Sequence, residues 1–123
     1  MDINEITEKV LFCAYRVHSE LGPGLLEKAY EDCLLYELTL QGLQVEAQKL
    51  LPLKYRDILI ETGYRLDLLV EGKVIVEIKA TDAFKDVHLA QVLTYLRLTE
   101  CKIGLLLNFN VKSLKHGIKR VAL

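Results

Sequence analysis

The chain has 123 residues, of which 51% are hydrophobic, which suits one domain with a packed core and excludes both intrinsic disorder and two domains. Sixteen Lys and Arg against seventeen Asp and Glu give a net charge of -1. No global positive field therefore attracts nucleic acid, although a small local cleft remains compatible with a few phosphate contacts.

The cysteines indicate a reducing compartment. Cys13, Cys33 and Cys101 are odd in number and widely separated, and none belongs to a CxxC pair. This spacing disfavours a zinc site or a disulfide framework and predicts buried free thiols. The amino-terminal segment is acidic where a signal peptide is basic, and no apolar run reaches the length of a membrane span. We therefore expect a cytoplasmic protein without a membrane partner.

Two helices are predicted at the amino-terminal end. Apolar residues at alternating steps of three and four, with charged residues between them, predict an amphipathic helix from Ile3 to Leu21. The run Gly22-Pro23-Gly24 ends it, because proline cannot continue a helix and glycine admits the positive φ of a sharp turn. A second helix is predicted from about Leu25 to about Leu40.

After Gly42 the pattern changes to that of strands. The predicted order is helix, helix, four strands, helix and strand, with a further strand at the carboxyl-terminal end. The four strands before the third helix are residues 44–51, the short pieces 53–55 and 58–60 around an Arg56-Asp57 turn, residues 64–70 and residues 74–80. Helical spacing through Val87, Ala90, Thr94 and Leu98 then predicts a helix over 86–100, followed by a buried strand over 103–109 and a last strand over 117–122.

The predicted hairpin around Glu71-Gly72-Lys73 carries acidic residues on both strands. Strand alternation predicts Tyr64, Leu66, Leu68 and Val70 on one face, and Arg65, Asp67 and Leu69 on the other. If the strands pair symmetrically about Gly72, Asp67 lies opposite Glu77, with Cβ atoms about 4.5 to 5.5 Å apart. A two-residue turn would instead put the two carboxylates on opposite faces.

Facing carboxylates repel each other unless a positive charge lies between them. Two carboxylates plus waters suit Mg²⁺, which keeps much of its hydration shell. Lys79 follows Glu77 by two residues and would lie beside the same ion, close enough to steady a phosphate oxygen. The alternative interpretation is that both acids face solvent and Lys79 is their surface counter-ion.

The third predicted helix adds two polar residues one turn apart, Gln91 and Tyr95, with His88 on the same face. A QxxxY spacing alone is more typical of a helix boundary stripe. Its position gives it weight, because a helix that follows the strand of Glu77 and Lys79 packs back beside that strand.

Residues 24–30 spell GxxExxY, with Glu27 and Tyr30 one turn apart. This motif, together with YRLDLLVEGKVIVEIKA, HLAQVLTYL and GLLLNFNVKSLKHGIKRV, resembles the GxxExxY protein family, which is grouped with the PD-(D/E)XK nuclease superfamily and is similar to its RecB-like branch. The resemblance implies an α/β fold, a central mixed β-sheet flanked by helices, as a single domain over 1–123.

The resemblance also implies roles for individual residues. Asp67 and Glu77 match the metal-binding acids, Lys79 the motif lysine, and Gln91 and Tyr95 the QxxxY pair. Glu27 matches the acidic residue of the leading helix, and His18 is an alternative there that we interpret as a structural histidine.

Two functions follow. The first is a nuclease that hydrolyses phosphodiester bonds of DNA or RNA with Mg²⁺, or Mn²⁺ in its place. The second is a catalytically silent binding or assembly module that keeps the fold. The net charge favours the second, and the intact residue set favours the first. Because a domain of this size offers little surface to grip a duplex, we expect a homodimer or a protein partner.

Overall fold

Five strands form one mixed sheet with helices on both faces. The computed structural model describes residues 1–123. The elements are α1 (Ile3–Leu21), α2 (Glu27–Leu40), β1 (Val45–Tyr55), β2 (Ile58–Val70), β3 (Val74–Lys79), α3 (Asp86–Thr99), β4 (Ile103–Asn108), a 3₁₀ helix (Leu114–Gly117) and β5 (Ile118–Ala122). The strand order is β1-β2-β3-β4-β5, and only β3 and β4 pair in parallel. The predicted α/β class is confirmed.

The two amino-terminal helices follow the predicted pattern. The Asp2 carboxylate caps α1 by accepting a hydrogen bond from the Glu5 amide at 2.8 Å. Gly22 ends the helix with a φ of 65°, in the left-handed region that glycine adopts without strain. No helix is both long and apolar enough to cross a membrane.

The sheet separates two hydrophobic cores. α1 and α2 cover one face and α3 covers the other, so the central strands are apolar on both sides. The first core includes Leu68, Val70, Val76 and Ile78 of the sheet. The second includes Leu66, Leu69 and Ile75 of the sheet with Val92, Tyr95 and Leu96 of α3.

The strands before α3 number three, and the prediction of four was wrong. Residues 44–55 form essentially one strand because Pro52 makes a bulge, seen as a register shift between Leu51 and Leu53, and does not break the strand. β1 lies at the sheet edge, where the missing proline N–H breaks no interior ladder. At this bulge Gly63 of β2 allows Leu53 of β1 to lie close to it. A Cβ on residue 63 would lie 2.5 Å from the Leu53 Cβ.

The predicted face of β2 needs correction, whereas the predicted third helix is present as α3. Leu66 packs in the α3-side core and Leu68 in the opposite core, so the two residues do not share a face. This change of face occurs across Asp67. Opposite Asp67, β1 leaves the extended conformation at Gln48, whose φ is 53°. In α3 the residues whose spacing predicts the helix face outward, with Val87 64% exposed and Leu98 41% exposed. α3 carries apolar residues on more than one side, and spacing alone does not choose the side that packs.

Candidate active site

A cavity of about 670 Å³ opens between β2, β3 and α3. Its walls bring together five predicted site residues: Asp67, Glu77, Lys79, Gln91 and Tyr95. The β1–β2 hairpin closes one side through Leu50 and residues 62–65. Residues from four elements, β1, β2, β3 and α3, thus share one polar cavity.

The β2–β3 hairpin positions the two acids. The pairs Val70–Val74, Leu69–Ile75 and Leu68–Val76 are symmetric about Gly72, so the next residues facing each other are Asp67 and Glu77. There side chains replace the regular ladder. The Asp67 amide donates to Glu77 Oε2 at 2.7 Å, and the Ile78 amide donates to Asp67 Oδ2 at 2.8 Å. Each carboxylate therefore caps the backbone of the opposite strand.

The second oxygen of each carboxylate is free or weakly bound. Glu77 Oε1 has no donor in the protein, and because no fully buried side-chain oxygen or nitrogen lacks a partner, this oxygen reaches the cavity. Asp67 Oδ1 accepts only a long bond of 3.4 Å from Gln48 Nε2. Two carboxylate oxygens directed at one polar cavity are a donor set that fits a hard divalent cation.

Asp67 and Glu77 lie close together, and neither carboxylate forms an ion pair with a lysine, arginine or histidine. Glu77 is buried, and this burial, reinforced by the Asp67 charge, raises the pKa of Glu77 to about 8. None of the ion pairs in the protein includes Asp67, Glu77 or Lys79. No group of three or more His, Cys, Asp or Glu side chains is arranged to hold a metal ion. A cation here would therefore have two carboxylate ligands, and water or a backbone carbonyl would complete its shell.

α3 supplies the opposite wall. Tyr95 is buried and meets the Tyr64 ring edge-on, with centroids 5.8 Å apart. Burial, and then the negative charges of Glu77 and Asp67, raise the pKa of Tyr95 to about 12. Its hydroxyl consequently stays protonated at neutral pH and is available as a hydrogen-bond donor.

Glu27 lies apart from this group. It is exposed at the first residue of α2 and does not line the cavity. Its charge nevertheless acts on His88, whose pKa is lowered by burial first and then by Lys79 and Lys85. His88 Nδ1 accepts a hydrogen bond from the Lys85 amide at 3.1 Å, so this histidine caps the start of α3.

The other residues of the GxxExxY motif shape the loop before α2. The Tyr30 hydroxyl donates to the Gly22 carbonyl at 2.5 Å and accepts from the Leu25 amide at 3.1 Å. Its buried ring stacks on Phe109 with centroids 4.7 Å apart. Gly24 has a φ of 104°, which favours glycine. The glycine and tyrosine therefore hold the loop, and the glutamate is left at the surface.

His18 lies in the core, away from the cavity. Its Nε2 is 2.8 Å from the Val111 carbonyl oxygen, and its ring lies 6.3 Å from that of Phe109. These contacts explain a buried histidine without a metal.

Comparison with protein families matches residues 4–121 to the PD-(D/E)XK nuclease superfamily. The chain belongs to this superfamily. No curated protein and no solved structure matches it. Membership in the PD-(D/E)XK superfamily supports a nuclease-like function and nucleic acid as the class of binding partner.

One acidic residue beside the cavity was not among the residues predicted from the sequence. Glu31 of α2 is buried, and its carboxylate accepts hydrogen bonds from Gln48 Nε2 at 2.6 Å and from Lys28 Nζ at 3.2 Å. Burial raises the pKa of Glu31, and the nearby Asp67 charge adds to the rise. The available signal was its position one turn after Glu27, on the side of α2 that contains the buried Tyr30 and Leu34.

Proposed function

We propose that this protein is a metal-dependent nuclease that hydrolyses phosphodiester bonds of DNA or RNA. The observation that carries the proposal is the meeting of Asp67, Glu77 and Lys79 in one cavity with Gln91 and Tyr95. Superfamily membership supports the same class of reaction.

The proposed metal is Mg²⁺, or Mn²⁺ in its place, which Asp67 and Glu77 would hold together with the Ile78 carbonyl. The carboxylate oxygens that lack strong donors support this assignment. When bound, such an ion polarises a scissile phosphate and lowers the pKa of a coordinated water. The raised pKa of Glu77 fits a site where a cation offsets concentrated negative charge.

The remaining residues have separate roles in the proposal. The Lys79 ammonium stabilises negative charge on a phosphate oxygen and orients the attacking water, since it is free of ion pairs. Gln91 and Tyr95 position the nucleic-acid backbone, for which the protonated Tyr95 hydroxyl is suited. Glu27 would help to hold a water of the metal, a role that the motif resemblance implies, although Glu27 does not line the cavity. Glu31, buried near Asp67, is the second acidic candidate on the same helix.

We further assign the chain to the GxxExxY family and the RecB-like branch, as a single domain over residues 1–123. The GxxExxY assignment is supported by the motif itself, in which Tyr30 secures the loop and Glu27 makes no hydrogen bond or ion pair that would explain it structurally. A cytoplasmic location fits the three free thiols, although Cys33 is only half-buried.

A catalytically silent binding or assembly module is the second candidate function. It is favoured by a row of exposed apolar side chains on the β1–β2 hairpin, 40% to 61% exposed, which soluble monomers usually keep scattered. These are Leu50, Tyr55, Ile58, Leu59 and Ile60. A homodimer or a partner protein would cover them.

Cleavage of single-stranded, duplex and branched DNA and RNA with Mg²⁺ or Mn²⁺ separates the two functions. We expect cleavage by the wild type and a loss of roughly two to three orders of magnitude in Lys79→Ala, because one charge-stabilising donor is removed. Lys102→Ala is the matched control, an exposed lysine outside the cavity. If the wild type cleaves no substrate, or if Lys79→Ala cleaves as fast as the wild type, the nuclease proposal fails and the binding or assembly module is the remaining function.

A further inference from the structure

Gln48 has a backbone conformation that its position in a strand does not explain. It lies within β1, between residues that pair regularly with β2, yet its φ is 53°. A glutamine in the left-handed region is disfavoured by about 1 to 2 kcal/mol relative to its ordinary conformation. Such strain persists where the surrounding contacts maintain it.

Those contacts are two carboxylates from different elements. The Gln48 carboxamide donates to Glu31 of α2 at 2.6 Å and, more weakly, to Asp67 of β2 at 3.4 Å. A carboxamide has two N–H donors, and ionised carboxylates only accept, so both contacts require the NH₂ group to face the acids. Gln48 is thus a bridge between the leading helix and the acid of the hairpin.

The strand register places this bridge opposite Asp67. Ala47 pairs with Leu68, and Lys49 pairs with Leu66. The pair expected between these two, Gln48 with Asp67, is missing. Side chains of β2 change from one core to the other at the same point, across Asp67. The left-handed residue and the change of face therefore occur together at the acid that lines the cavity.

We propose that Gln48 is a positioning residue, whose carboxamide holds the Asp67 carboxylate at the cavity and ties it to Glu31. The inference rests on the proposed function for its consequence, since a fixed Asp67 favours cation binding. The Gln48 carboxamide also offsets the repulsion between Glu31 and Asp67, because it donates to both. Lys28 forms an ion pair with the other oxygen of Glu31 at 3.2 Å. Partners behind a metal ligand typically change affinity by 10- to 100-fold when removed.

The bridge itself is testable by NMR in metal-free protein. The Gln48 side-chain amide signals, assigned by their loss in Gln48→Gly, should shift in both Asp67→Asn and Glu31→Gln. The exposed Gln44 side chain, which makes no hydrogen bond, is the internal control and should not shift. If the Gln48 side-chain amide signals do not shift in Asp67→Asn, or do not shift in Glu31→Gln, the proposal is overturned.

The consequence is measured as Mn²⁺ affinity by electron paramagnetic resonance. Gln48→Met keeps side-chain length and removes both donors, whereas Gln48→Gly removes the side chain and suits the left-handed backbone, so it preserves folding. We expect both to weaken Mn²⁺ binding roughly tenfold or more, as for outer partners of other metal ligands, and Gln44→Met to bind as wild type does. Loss in both variants assigns the effect to the carboxamide and not to backbone strain.

The outcomes separate this inference from the proposed function. Wild-type affinity in both Gln48 variants would overturn the positioning role. Wild-type protein that binds no Mn²⁺ would instead contradict the metal site of the proposed function, and the NMR result would then decide the role of Gln48 alone. Amide signals that respond to both acids support it, and signals that do not overturn it.

Discussion

Replacing Glu77 with Gln should make the metal-free protein more stable at alkaline pH. The substitution keeps the side-chain shape and an oxygen that accepts the hydrogen bond from the Asp67 amide, which is 2.7 Å long in the native protein. It removes a negative charge that is buried beside Asp67. The gain should therefore come from relieving desolvation and repulsion.

The pKa of Glu77 sets the pH window and the size of this effect. It rises from 4.5 to about 8 in the folded protein, so between these values the folded state holds a proton that the unfolded state has released. The free energy of unfolding of the wild type accordingly falls as pH rises through this window. Full ionisation of Glu77 lowers the free energy of unfolding by at most about 5 kcal/mol. Entry of solvent into the cavity makes this loss smaller.

Urea denaturation with EDTA at pH 4.5 and pH 8.5 measures the difference between the two proteins. We expect Glu77→Gln to match wild type at the lower pH and to exceed it by about 1 to 5 kcal/mol at the higher pH, within the limit set by the pKa shift. Saturating Mg²⁺ should then stabilise the wild type and not the variant. A variant less stable than wild type at pH 8.5 without metal would refute the account of Glu77 as an uncompensated charge.

Three other substitutions test neighbouring parts of the structure. Asp67→Asn should leave metal-free stability unchanged or raised in thermal denaturation, because an amide oxygen still accepts from the Ile78 amide and a repulsion is lost; strong destabilisation would show that the charge itself supports the fold. Tyr30→Phe should lower the free energy of unfolding by about 1 to 3 kcal/mol, since its hydroxyl bonds to Gly22 and Leu25 would be lost, and unchanged stability would contradict the loop assignment. Lys79→Ala should keep the melting temperature within a few degrees of wild type, because the lysine makes no ion pair; a larger fall would make Lys79 a structural residue.

The parts of the site that sequence could predict are those fixed by local chain geometry. Three residues, Glu71, Gly72 and Lys73, join strands of clear apolar pattern, and the observed pairs are symmetric about Gly72 as the prediction assumed. That symmetry alone brings Asp67 and Glu77 opposite each other. The spacing of Gln91 and Tyr95 on a helix likewise follows from helical geometry.

The parts that could not be predicted depend on contacts between distant elements. Glu31 and Gln48 belong to a helix and an edge strand, and their meeting at Asp67 appears only once α2 packs beside the sheet. The face switch between Leu66 and Leu68 has the same origin, since regular alternation assumes an undistorted strand. The choice of the buried side of α3 was open because packing, not spacing, decides it.

Calorimetric titration of Mn²⁺ tests the central claim that Asp67 and Glu77 share one divalent cation. The wild type should bind one ion, and both Asp67→Asn and Glu77→Gln should lose that binding while remaining folded. Lys102→Ala should bind as the wild type does. Absence of binding by the folded wild type, or equal binding by the wild type and either acid variant, would contradict the claim.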